Sequence, residues 1–176
     1  MDFQFNDGGR AAAGYRGTAG DCVVRAVAIA TEQPYQAVYD ALAEGCRTER
    51  LTKRSKKRKA SARNGVNVRR KWFKDYMTSL GWRWVATMTI GSGCKVHLRA
   101  DELPRGRLVV AVSKHYTAVV NGVIHDIYNP AADRGVTIYP PHTPTASLPK
   151  GARWLENGNG WAYSPDRCVY GYYVKA

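Results

Sequence analysis

Three residues in this chain have the types and spacing for nucleophilic chemistry at a carbonyl: Cys22, His115 and Asp126. Cys22 follows a Gly-Asp turn and opens an apolar stretch, GTAGDCVVRAVAIAT. His115 begins the segment HYTAVVNGVIHDIYNP, and Asp126 lies on its return limb. A thiol attacks as the thiolate, and a free cysteine of pKa about 8.5 supplies only a few per cent of that form at neutral pH. It needs a base to take its proton and a third group to orient the base. The chain offers all three in the order Cys, His, Asp.

The elements that must position them are legible nearby. Asn121-Gly122 is a strong two-residue hairpin signal between HYTAVV and VIHDIY. That turn sets Val120 opposite Val123, Thr117 opposite Asp126 and His115 opposite Tyr128. Side chains alternate along a strand, so His115, Thr117 and Val119 share a face with Ile124, Asp126 and Tyr128. Asp126 is then a diagonal neighbour of His115. Asn129 falls on the other face of a regular strand, and a bulge or strand end there would reverse the choice. Asn129 is therefore the rival for the orienting role. Asp21 has the type of an N-cap, and the valines and alanines after it predict a helix over 22–31. A thiol at a helix N-terminus gains from its unpaired N–H groups and partial positive charge. The same N–H groups, that of Cys22 included, suit a tetrahedral oxyanion.

The rest of the chain divides into helices and then strands. Residues 1–20 read as an extended lead-in. Pro34 fits the first turn of a second helix, PYQAVYDALAEG, which Gly45 is expected to end. A third helix is predicted over 68–80, with Trp72, Phe73, Tyr76 and Leu80 inward and Gly81 after it. WRWVATM (82–88), RLVVAV (107–112) and CVYGYYV (168–174) read as strands. Trp82 and Trp84 are expected in the core, and Tyr170 and Tyr172 on one side of their strand. Residues 129–166 hold six of the eight prolines and read as loop. The fold class is α+β, with N-terminal helices packed on an antiparallel sheet in a single domain over 1–176.

Charge is concentrated rather than spread. The net charge is +13, and residues 47–71 hold twelve Lys/Arg against one Glu. This basic loop or insertion includes Lys53, Arg54, Lys56, Lys57, Arg58, Lys59 and Arg63, a set suited to a polyanion. SARNGV at its end reads as a structured turn near the site. No run of about 18 apolar residues exists, so no membrane span is predicted. MDFQFNDGGR lacks the layout of a secretory signal. The four cysteines show no C-x-x-C pairing and are expected as reduced thiols, which makes the cytoplasm the default compartment. Cys94 and His97 have metal-ligand spacing, but a zinc site needs about four ligands. Cys46, His125, His142 and Cys168 complete one only if the fold gathers them, and scattered structural residues are the favoured reading. His125 points away from the site face.

GDCVVRAVAIAT followed by HYTAVVNGVIHDIYNP resembles the papain-like cysteine peptidase superfamily. More narrowly, GDCVVRA, SARNGV, LGWRW, IGSGCKVHL, LPRGRLVVAVSKHYTAVVNGVIHD and RCVYGYY resemble a set of bacteriophage and prophage proteins. The resemblance implies a papain-like fold, with Cys22 as nucleophile, His115 as base and Asp126 as third member. It implies a protein or peptide substrate and no metal or organic cofactor. It also implies action in an infected bacterial host's cytoplasm or with the virion. Papain-like enzymes often carry a Gln six residues before the cysteine for the oxyanion; here that residue is Arg16, whose charge favours a different oxyanion or an acidic substrate. The superfamily spans peptidases, deamidases, transglutaminase-like enzymes, deubiquitinases and cell-wall amidases, and fold does not choose among them. The rival reading is a non-enzymatic phage protein that uses 47–71 to contact nucleic acid or an acidic host protein.

Overall fold

A Val/Ala-rich helix without a polar face has to be buried on all sides. The segment after Asp21 obeys this: in α1 (Cys22–Thr31) every residue from Val23 to Ala30 is buried. A computed structural model of the chain describes residues 1–49, 61–131, 137–149, 152–155, 157–163 and 166–176. It is an α+β arrangement of three helices against a mixed sheet.

α2 (Tyr35–Thr48) packs on α1 and buries Tyr35, Val38, Leu42 and Cys46, a stripe at helical spacing. Gly45 does not end this helix. A Cβ there would lie 2.2 Å from Cε3 of Trp72, so the glycine admits an indole against the helix backbone. α3 (Lys71–Ser79) buries Phe73 and Met77. It starts three residues later than the periodicity suggests. The Asn67 side chain accepts the Arg69 N–H at 3.2 Å, and the Asn67 carbonyl accepts the Arg70 N–H at 3.1 Å. That local turn takes donors a helix would otherwise use.

The main sheet contains β1 (Asp2–Phe5), β2 (Trp82–Ala86), β3 (Arg107–Val112), β4 (His115–Val120), β5 (Val123–Asp126) and β9 (Val169–Lys175), in the order β1-β5-β4-β3-β9-β2. The lead-in is thus partly a strand, and it pairs in parallel with β5, placing Phe5 beside Asp126. The sheet is mixed rather than purely antiparallel for that reason. A second small sheet, β6 (Thr137–Tyr139), β8 (Trp161–Tyr163) and β7 (Arg153–Trp154), lies within the proline-rich stretch read as loop. Two- and three-residue strands carry too little alternation to be seen in sequence.

Both faces of the main sheet are covered. Val109, Ala118 and Tyr173 join the helices in one core cluster, while Leu108, Val110, Val112, Val119 and Ile124 join Leu98 and Leu103 in another. This is why β3 reads as a continuous apolar run. The second cluster is closed by the segment around Leu98, which hydrogen-bonds to the chain entering β9: Val169 N–H to Val96 at 2.8 Å and Leu98 N–H to Arg167 at 2.7 Å. That pairing brings Cys94 and Cys168 together, with Cα atoms 5.8 Å apart, and they form a disulfide. The expectation of four reduced thiols fails for these two. Their separation of 74 residues hides a contact that only the return of β9 creates.

Candidate active site

Cys22 is the first residue of α1, and α1 lies across β4. His115 is the first residue of β4, directly after the tight Ser113-Lys114 turn that joins it to β3. Its ring therefore stands at the end of the sheet beside the first turn of the helix. Asp126 closes β5. The β4–β5 register is the one the Asn-Gly turn predicts, with Val120 opposite Val123 and Ala118 opposite His125. That register brings Asp126 within reach: Nε2 of His115 and Oδ2 of Asp126 are 2.7 Å apart. Both side chains are buried, and the other carboxylate oxygen accepts the Ile127 N–H at 2.8 Å. The tie at Nε2 leaves Nδ1 as the ring nitrogen available to Cys22, which lines the same cleft. Tyr128 lies over the imidazole, ring centroids 5.0 Å apart.

The electrostatics follow from these contacts. Burial on its own raises the Cys22 thiol. The hydrogen bond from His115, the backbone N–H of Tyr116 and the charges of His115 and Arg25 together outweigh it, and the thiol falls below its ordinary value. For His115 burial disfavours the charged ring, but the bonds to Asp126 and Cys22 prevail and carry it up to about 9. Both shifts act in the direction of a thiolate–imidazolium pair.

Asp21 plays a different part from the one its position suggests. No side chain caps α1 among the described residues. The Asp21 carboxylate instead binds Nε of Arg10 at 2.9 Å, the hydroxyl of Tyr35 at 2.5 Å and the guanidinium of Arg25. Charge-assisted bonds to two guanidinium groups are stronger than a neutral cap bond. The first-turn N–H groups are left without a capping side chain, which suits them to an anion.

Cys22 and His115 open into a cleft of about 510 Å³ whose walls include Gly20, Gly65, Val66, Trp84, Tyr116 and Tyr170. SARNGV does form a turn beside the site, anchored by Ala62, which is fully buried. Arg63 donates to the Thr18 carbonyl at 3.3 Å. Lys53, Arg54, Lys56, Lys57, Arg58 and Lys59 lie outside the described residues.

Two residues proposed for roles at the centre sit elsewhere. Asn129 uses its Oδ1 to accept the Ala131 N–H at 2.9 Å, so the orienting position belongs to Asp126. Arg16 is exposed and is not among the described residues of the cleft wall; its carbonyl accepts a hydrogen bond from Arg10. Trp84 is not core: it is 39% exposed and lines the cleft, whereas Trp82 is buried. Nor do Tyr170 and Tyr172 share a side. Ala111 pairs with Gly171 but Val112 pairs with Val169, so Tyr170 is skipped by a bulge and turns into the cleft, while Tyr172 packs on the second core cluster. Cys94 and Cys168 bind each other, and His97 bonds Glu102 at 3.1 Å. His125 approaches Asn6 rather than the site, at 3.4 Å.

Comparison with protein-family models, with curated proteins and with solved structures gives no match to this chain.

Proposed function

We propose that this protein is a papain-like thiol hydrolase of phage type that cleaves an amide bond in a polypeptide. The observation that carries the reading is the position of one imidazole, hydrogen-bonded to a buried carboxylate through Nε2 and sharing a cleft with a half-buried thiol at the start of a helix. A structural cysteine in a core has no need of a base held in this way.

Cys22 Sγ attacks the carbonyl carbon as the thiolate, and the carbonyl π electrons move to oxygen. The first-turn N–H groups of α1 stabilise that oxyanion. His115, protonated at Nδ1, gives its proton to the departing amine as the C–N bond breaks. The product is a thioester on Cys22. Water then attacks, His115 takes its proton, and the C–S bond breaks to release the acid and restore the thiolate–imidazolium pair. Asp126 holds the ring in one orientation throughout and stabilises its charge, as the acid of a triad does.

The test is a comparison of thiol reactivity. Iodoacetamide at about pH 6 should label Cys22 far faster than it labels glutathione, because only an activated thiol is ionised there. An activity-based thiol probe should label the wild type and not Cys22→Ala. Labelling of Cys22 at the rate of an ordinary thiol removes the enzymatic reading.

A further inference from the structure

The cleft in front of Cys22 carries charge of one sign. Arg69, Lys74 and Lys114 line it, and among the described residues no aspartate or glutamate does. All three are exposed, and none has an ion-pair partner among the described residues. The acids nearby are engaged elsewhere. Glu49 faces Arg70 at 3.9 Å and Trp72 Nε1 at 3.3 Å, and Asp75 binds Lys71 at 2.7 Å. Asp21 is held by Arg10 and Arg25, and Asp126 by His115.

Two of the placements are structurally specific. Lys114 adjoins His115 and adopts φ +56°, a left-handed conformation that glycine would take at lower cost in a tight hairpin turn. Aromatic rings line the same cleft. The Trp84 indole lies on the bare backbone of Gly171, where a Cβ would come within 2.2 Å of its ring, and its centroid is 4.9 Å from that of Tyr173. A cleft lined by both cations and aromatic rings fits a chain that combines carboxylates with apolar side chains.

We infer that the cleft selects an acidic polypeptide segment, with Arg69, Lys74 and Lys114 pairing with carboxylates that flank the bond presented to Cys22. Nucleic acid would satisfy the same charges, but a thiol nucleophile acts on carbonyl carbon, which favours the polypeptide. The inference rests on the proposed hydrolase reading and names its substrate class. Fields focused in such a cleft raise the local concentration of anions.

The test uses Cys22 in the full chain as its own reporter. Its alkylation rate is measured with iodoacetate, an anion, and with iodoacetamide, its neutral analogue, and the ratio of the two rates reads the local charge. Replacing the three cations together (Arg69→Gln, Lys74→Gln, Lys114→Gly) should lower that ratio by about tenfold or more. Salt at about 0.5 M should bring the wild-type ratio down towards the variant's. A short peptide alternating Glu with Leu should protect Cys22 from iodoacetamide in the wild type, and one alternating Lys with Leu should not. An unchanged ratio in the triple variant overturns the inference. So does stronger protection by oligothymidylate than by the acidic peptide. Slow reaction of Cys22 with iodoacetamide counts against the hydrolase reading, and the ratio reads the cleft's charge independently of it.

Discussion

Nε2 of His115 lies 2.7 Å from Oδ2 of Asp126, with both side chains buried. The contact joins the first residue of one hairpin strand to the last residue of the other, so the Asn121-Gly122 turn sets it. It also commits Nε2 to the carboxylate and leaves Nδ1 available to the thiol.

Asp126→Asn keeps the shape of that contact and removes its charge. The imidazolium becomes less favourable, so the His115 titration falls from about 9 and the Cys22 titration rises. Less thiolate is then present at pH 6, and alkylation there should slow by roughly tenfold. The pH dependence of iodoacetamide alkylation measures it. A profile identical to the wild type's shows that Asp126 does not act on the pair.

His115 also links stability to pH, with a definite sign. Its folded pKa is raised from 6.5 to about 9, so its contribution is complete below 6.5 and is lost as pH rises towards 9. The thiol contributes in the opposite direction. A Cys22→Ala background removes it, together with its share of the shift, which moves the upper bound below 9. In that background the difference in Tm between His115 and His115→Gln should shrink as pH rises through this window. A difference that grows with pH contradicts the assignment.

Gly45→Ala tests a packing contact by its sign. In an exposed helix interior, alanine stabilises by about 1 kcal/mol over glycine. Here the new methyl meets the Trp72 ring at 2.2 Å. Overpacking of this kind costs about 1–3 kcal/mol, so the variant should be less stable by urea denaturation. A more stable variant shows that Trp72 does not occupy that position.

Asp21→Ala strands two guanidinium groups, Arg10 and a buried Arg25, behind the active helix. Removing one partner of a buried pair typically costs about 3–5 kcal/mol. Chemical denaturation should show a loss of that order, whereas a loss under about 1 kcal/mol shows that the Arg10–Asp21–Arg25 cluster does not hold the fold.

The Cys94–Cys168 disulfide closes a long loop, and its removal by the double serine variant should lower stability by about 2–4 kcal/mol. Mass spectrometry of denatured protein should find both cysteines blocked to alkylation before reduction and open after it. Labelling of both before reduction rules the bridge out.

Local rules determined much of the chemistry-bearing frame. The run of valines and alanines after Asp21 specified α1 to its end at Thr31, and Asn121-Gly122 specified the β4–β5 register, because a helical period and a two-residue turn are properties of adjacent residues. Cys22 at a helix start and His115 beside Asp126 were therefore legible from sequence. Other features needed the folded chain. Gly45 looks like a helix stop until Trp72 is seen against it, and Tyr170 looks like the partner of Tyr172 until the bulge separates them. The parallel pairing of β1 with β5, the choice of Asp126 over Asn129, the Cys94–Cys168 bridge and the approach of α1 to the end of β4 depend on residues far apart in the chain. Such contacts are fixed by which surfaces bury each other. Sequence spacing carries no record of that choice, and so the thiol and the imidazole could be named as candidates from sequence but brought together only by the tertiary structure.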